Sequence, residues 1–245
     1  MNIVHDKVWA IIPARGGSKS ILYKNMVNLG GRPLISYAIK AAKECKSITR
    51  IICSTEDKRI ADFCMEQEIE VHQRPDRLAL DDTDLIDVLV YTLKNIEEKE
   101  GKVADMIVIM HPTSPFVLKE HIDKCVSMLV QNQEAQSAQT VTDFPHIFHA
   151  YNQRVTEDGW VRFRFPEERK IFFNKQKKPK HYILGNLIVT RSRTILDKCE
   201  IYGSKSLPLM IPYPYALDVD GPYDFEVAQW YLDEGKVHIP NMKSD

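Results

Sequence analysis

The first 143 residues of this chain alternate short apolar runs with amphipathic stretches, and that rhythm constrains the fold more than any other feature. Residues 8–13, 50–54, 69–73, 105–110 and 138–142 read as strands; residues 33–46, 58–68, 85–98 and 119–131 read as helices. Within the first helix Leu34, Tyr37, Ala38, Ala41 and Ala42 recur at helical spacing. Short strands alternating with helices predict an α/β domain with a mostly parallel sheet covered on both faces. Ligands of such sheets bind beyond the carboxyl ends of the strands. The loops at Arg15, Ser54–Thr55, Arg74 and His111–Pro115 each follow a strand, so they are predicted to converge on one crevice.

Between residues 144 and 180 the rhythm breaks. Phe148, Tyr151, Trp160, Phe163, Phe165, Phe172 and Phe173 occur there without clear periodicity, among basic residues. The segment is too apolar for a disordered linker and too irregular for another βα unit, and it reads as a protruding lobe or dimerisation arm. A strand is predicted over 181–190 and a last helix over 222–234. Pro222 suits the first turn of that helix and Gly235 its C-terminal cap. A length of 245 residues with 44% hydrophobic side chains fits a single domain carrying this arm.

The first strand empties into the loop ARGGSKSILYKN. It holds Gly16, Gly17 and Ser18 among three cations, Arg15, Lys19 and Lys24. Glycines let backbone N–H groups approach phosphate oxygens, and the cations offset the charge. The spacing is neither a Walker loop nor a dinucleotide fingerprint. A surface turn with solvated charges is the bland alternative; three cations directly after a buried strand favour a polyphosphate site.

A second charge cluster, Leu217-Asp218-Val219-Asp220, precedes the last helix. In an extended segment Asp218 and Asp220 project the same way, an arrangement suited to Mg²⁺ held by two carboxylates, water and phosphate oxygens. Helix capping is the competing reading.

A formal net charge of −1 argues against nucleic acid as the main partner. The basic run at 175–181 reads as a solvated face. Five scattered cysteines without a C-x-x-C pair suggest a reducing compartment and no zinc or disulfide framework. His146 and His149 share helical spacing but lack an evident third metal ligand. With no signal pattern and no apolar run of membrane-spanning length, a soluble cytoplasmic protein without membrane association is expected.

Taken together these motifs resemble the CMP-sugar-acid synthetase family, the cytidylyltransferases that activate sialic acid and related sugar acids. IPARGGSKSILYKN, RPLISYAI, STED, RPDRLAL, HPTSPFV and DVDGPYDFEVA follow that family's order and spacing from the first strand to the last helix. The resemblance implies a Rossmann-like mixed α/β fold, a homodimer whose arms reach over the partner's site, and CMP transfer from CTP to the anomeric hydroxyl of a sugar acid with release of pyrophosphate. It places Arg15, Gly16, Gly17, Ser18, Lys19 and Lys24 around the triphosphate, and Asn25, Arg74 and the acidic stretch Asp81, Asp82, Asp84 at the nucleotide. It assigns Asp218 and Asp220 to Mg²⁺. Arg15, Lys24, Asp218 and Asp220 are then the catalytic candidates. His111, Thr113, Ser114, Lys175, Gln176 and Asn186 are the candidates for the acceptor.

The sequence departs from the family's pattern at Ser20 for Gly, Leu22 for Pro, His111 for Gln, Val117 for Arg, and in the order Gly185-Asn186. The phosphate and metal positions are kept, whereas those expected to face the acceptor differ. An eight-carbon sugar acid or a phosphonate is therefore an alternative acceptor, and a nucleotide-binding protein without turnover is the alternative from another class.

Overall fold

A computed structural model describes residues 2–240. In chain order its strands are β1 (Ile3–Pro13), β2 (Asn28–Leu29), β3 (Arg32–Pro33), β4 (Arg50–Thr55), β5 (Glu70–Gln73), β6 (Val103–Ile109), β7 (Ser137–Thr142), β8 (Arg154–Glu157), β9 (Trp160–Phe163), β10 (Ile183–Arg191) and β11 (Ser206–Met210). Its α-helices are α1 (Ile35–Glu44), α2 (Lys58–Glu66), α3 (Leu85–Glu100), α4 (Lys119–Gln131), α5 (Pro166–Ile171), α6 (Ser192–Lys198) and α7 (Pro222–Asp233).

Seven strands form one sheet in the order β11-β7-β10-β6-β1-β4-β5. β10 runs antiparallel to both neighbours, and every other adjacent pair is parallel. The middle of β1, Val8 to Ile12, is buried throughout, as a central strand covered on both faces requires. Val8, Ala10 and Ile12 face a core with α1, α2 and α4. Trp9 and Ile11 face a second core with α3 and α6. A third cluster packs α7 against Leu29, Leu34, Tyr37, Phe116 and Val219.

The predicted strands and helices of the first 143 residues are all present, shifted by a few residues at most at all but one of their ends. β1 begins earlier than apolar patterning suggests, because its polar start pairs with β6 ahead of a bulge between Val4 and Val8. Helix α1 starts later, because Pro33 pairs with Asn28 in the small β2–β3 hairpin. Besides the β2–β3 hairpin and the elements within 144–180, helix α6 and strand β11 also went unread. Helix α6 is only two turns long, too short for a periodic signal. β11 carries Pro208, which lowers its strand signal but is tolerated on an edge. The segment 144–180 holds a β8–β9 hairpin and the short helix α5.

Helix α4 is capped at its start by His121, whose Nδ1 accepts the Leu118 N–H at 3.3 Å. The ring meets Tyr215 edge-on, with centroids 5.8 Å apart. Burial pushes the His121 pKa down to about 4, from an ordinary 6.5. An unfolded chain takes up this proton near pH 6.5 and the folded chain only near pH 4. Stability is therefore intact above pH 6.5 and falls as pH drops toward 4, by up to ~3 kcal/mol from this group. Denaturant melts at pH 7.5 and pH 4.5 are expected to show a smaller pH-dependent loss for His121→Gln than for the wild type. Equal losses in both proteins would assign the acid sensitivity to other groups.

Candidate active site

The loops after β1, β5 and β6 meet beside the start of α3, whereas Ser54 and Thr55 lie buried at the end of β4 and do not reach the cleft. The cleft between them has a volume of about 280 Å³ and is lined by Arg15, Lys24, Asn25, Arg74, Asp81 and His111, among others. β1 lies between β4 and β6, where the chain's winding reverses direction, which is where doubly wound sheets hold ligands.

The glycine loop is held from below. Gly16 passes so close to Asp57 that an added Cβ would lie 2.2 Å from its carboxylate oxygen, so only glycine fits. Asp57 is itself immobile, because it caps α2 through the Arg59 and Ile60 N–H groups at 2.8 and 3.2 Å. The Gly16 N–H donates to Glu56 Oε1 at 2.7 Å. Glu56 Oε2 accepts from Arg74 Nε and Nη2 at 2.9 and 2.8 Å. Arg74 is only 4% exposed and Glu56 13%, so the pair is a sheltered charge-assisted bond. Asn25 donates to Arg15 O at 2.8 Å and ties the two ends of the loop together. Farther along, Tyr23 adopts a left-handed backbone at φ 53°. The Arg59 guanidinium stacks 3.4 Å from its ring centroid.

The three loop cations are all engaged. Arg15 Nη1 lies 2.9 Å from Asp81 Oδ1, and Lys19 Nζ lies 2.5 Å from Asp81 Oδ2. These partners, Lys19 first, hold the Asp81 carboxyl below the usual carboxylate range. Lys24 Nζ lies 3.4 Å from Asp220 Oδ1; the lysine is 14% exposed and the aspartate 82%. Ser20 Oγ donates to Asp220 O.

Asp218 and Asp220 are exposed while Val219 between them is buried, so the carboxylates project together from an extended segment. Val219 N–H donates to Thr113 O at 2.8 Å, which fastens this segment to the His111–Pro115 loop. The capping reading does not describe them: α7 is capped by Asp224, whose Oδ2 accepts from Gly221 and Asp220 N–H at 2.8 and 3.1 Å. Ser114 Oγ donates to Asp218 at 3.2 Å. Burial lowers the His111 pKa, and Asp218 pulls it back only in part. His111 is thus a neutral imidazole at neutral pH.

The expected acceptor residues do not all gather here. Thr113 and His111 line the cleft. Asn186 lies at the head of β10 with its amide engaged: Nδ2 donates to Tyr215 O at 2.8 Å and Phe116 O at 3.2 Å, and Oδ1 accepts from Thr140 at 3.2 Å. Gly185 before it is required by packing, because a Cβ there would sit 2.5 Å from Thr140 Oγ1. That explains the Gly-Asn order. Val117 is buried in the core. Lys175 and Gln176 are exposed on a turn of the 144–180 segment, away from the cleft lining. His146 and His149 are turned to Lys178 Nζ and Pro179 O, both at 3.1 Å.

Glu56 escaped the sequence reading, and Ser20 entered it as a departure from the family's glycine without the contact it makes. Glu56 stands directly after a strand that ends in the crevice, and that position was the available signal. Ser20 carried none, because its partner lies 200 residues away.

The sheet, the cationic loop and the paired carboxylates define a nucleotidyltransferase. The pattern of the family described as Cytidylyltransferase matches residues 9–232. The chain belongs to that family and is a CTP-dependent nucleotidyltransferase.

It is 26% identical over 226 residues to the CMP-N,N'-diacetyllegionaminic acid synthase of Legionella pneumophila, covering 91% of this chain and 95% of that protein. It is 25% identical over 220 residues to the pseudaminic acid cytidylyltransferase of Campylobacter jejuni, covering 89% and 93%. The N-acylneuraminate cytidylyltransferase of Escherichia coli is 25% identical over 226 residues, which span 92% of this chain and 52% of that longer protein. The fold is shared with a CMP:2-keto-3-deoxy-manno-octonic acid synthetase complexed with CTP, at TM-score 0.70 and 13% identity over 94% of this chain and 99% of that one.

Proposed function

We propose that this chain transfers CMP from CTP to the anomeric hydroxyl of a sialic-acid-like nine-carbon sugar acid and releases pyrophosphate. One observation carries the reading: Arg15, Lys24 and Arg74 line a single cleft, and the Asp218–Asp220 segment is fastened beside it through Lys24 and Thr113, in a chain that belongs to the cytidylyltransferases. The similar proteins named for legionaminic, pseudaminic and neuraminic acids support the acceptor class.

In this reading Arg15, Ser18 and Lys19, with Gly16 and Gly17 keeping the loop close, hold the triphosphate, and Lys24 reaches the α-phosphate. Asn25, Arg74 and the 81–84 stretch surround the nucleoside. The acceptor's hydroxyl oxygen forms a bond to the α-phosphorus as the bond to the β-phosphate oxygen breaks, and pyrophosphate leaves with that electron pair. The cations neutralise charge on the phosphoryl oxygens and position the reactants in line. Neutral His111 offers one N–H and one lone pair to the acceptor, with Thr113 and Ser114 beside it. Of the three places where the acceptor region departs from the family pattern, His111 faces the cleft, whereas Val117 and Gly185 serve packing.

Asp218 and Asp220 fit Mg²⁺ by their chemistry: hard oxygen donors, side by side, with open space for water and phosphate oxygens. Among the described residues no cluster of three or more His, Cys, Asp or Glu forms a closed metal cage. When bound there, Mg²⁺ would supply positive charge at the reacting phosphate. The remaining parts of the proposal are a homodimer and a cytoplasmic setting. Ile147, Phe148, Trp160, Val161, Ile171 and Phe173 are all exposed, Trp160 by 68%, which is more apolar surface than an isolated arm keeps in water. Lys175 and Gln176, on the same arm, would then reach the partner's acceptor pocket. Among the described residues no helix is long and apolar enough to cross a membrane, and all five cysteines are free.

Pyrophosphate release, measured with each of four NTPs against a panel of sugar acids, is expected only with CTP and a nine-carbon acid. Equal release from ATP would end the nucleotide assignment, and no release with any acceptor would favour a protein that binds without turnover. Asp218→Asn and Asp220→Asn are each expected to lower kcat by two to four orders of magnitude, roughly 3–5 kcal/mol, while circular dichroism stays unchanged. Near-normal rates in both would remove the metal pair. Sedimentation at micromolar concentration is expected to show a dimer, and a fully active monomer would contradict the role given to the arm.

A further inference from the structure

The most exposed charged contact in the cleft joins residues that the reaction needs apart. Asp81 places one carboxylate oxygen 2.9 Å from Arg15 Nη1 and the other 2.5 Å from Lys19 Nζ. Arg15 Nη1 also donates to Leu80 O at 3.2 Å. Two of the three loop cations are thus closed onto one short stretch, between the turn Asp76–Leu78 and helix α3. That stretch is pinned at both ends. Leu78 is buried, and Asp84 caps α3 by accepting the Ile86 N–H at 3.1 Å. The pins leave Asp81 at the free crest between them, where it is exposed.

A carboxylate bridging two cations occupies the position and charge of a bound anion. We propose that Asp81 is the resident counter-ion of the anion cradle: it pairs with both Arg15 and Lys19 in the free protein, offsets part of their charge, and is displaced by nucleotide phosphates. Asp81 then opposes binding, and sets how much negative charge a ligand must bring to the loop. A carboxylate brings one charge, whereas a triphosphate brings several and can engage Lys24 as well, so it displaces Asp81 where a monoanion does not. This inference rests on the reading of Arg15 and Lys19 as phosphate ligands. It assigns Asp81 a sign opposite to that of a base contact, for which removal weakens binding.

Calorimetric titration with CTP and with inorganic tripolyphosphate tests it at low salt, on the wild type, Asp81→Asn and Asp76→Asn. Asp76 is an exposed carboxylate on the same stretch and controls for loss of charge alone. Asp81→Asn is expected to bind both ligands roughly threefold to tenfold more tightly, the range that two exposed ion pairs allow. Asp76→Asn is expected to change either affinity less than twofold. Unchanged affinity in Asp81→Asn, or equal tightening in both variants, overturns the inference. Weaker CTP binding with unchanged tripolyphosphate binding overturns it in favour of a contact with the base. If the wild type binds neither ligand, the phosphate reading of the loop fails, and the inference falls with it.

Discussion

Glu56 is where three strand ends become one site. It follows β4 directly, takes the Gly16 N–H of the loop after β1, and grips the Arg74 guanidinium after β5. Without it Arg74 would be a buried charge lacking its counter-ion, a loss of roughly 3–5 kcal/mol for such groups. Its second effect is on the loop's chemistry. The Gly16 N–H is turned to a carboxylate and away from any ligand, so this glycine serves close approach to Asp57 rather than anion binding. In the proposed reading the Gly16 N–H takes no part in holding phosphate, and that role rests on Arg15, Lys19, Lys24 and the rest of the loop.

Those cations are paired within the chain. Arg15 and Lys19 share Asp81, and Lys24 leans on Asp220. The pairs are exposed to different degrees, and exposed pairs exchange partners at little cost. An open cleft with several unpaired cations would attract any anion in solution. Here the unliganded arrangement keeps like charges apart and holds the loop in shape. In the proposed reaction the same groups re-pair with the phosphates.

Much of this was legible in the sequence, because the signals were local. A strand ending at Pro13, glycines, and cations at fixed distances give the first loop directly, and the carboxylates of Asp218 and Asp220 stand two apart as an extended segment requires. The crevice followed from the rule that parallel strands present their ends together. What stayed hidden depended on partners far along the chain. Ser20 meets Asp220, and Asn186 saturates its amide with Thr140, Phe116 and Tyr215; no spacing announces either contact. The reversed Gly185-Asn186 step looked like a change of substrate and proved to be a matter of volume against Thr140. The antiparallel course of β10 was also invisible, since an apolar run carries no direction.

That reversed strand has an architectural consequence. β7 ends at Thr142 and β10 begins at Ile183, and these two residues are ladder partners. The whole excursion 143–182 therefore leaves and re-enters the sheet through adjacent doors at the crevice end, as the loop of a hairpin does. Its length and content place no demand on the register of the strands that carry it. The excursion behaves as an interchangeable attachment mounted beside the cleft. A lineage can lengthen, trim or redecorate it while the sheet that carries the cleft stays untouched.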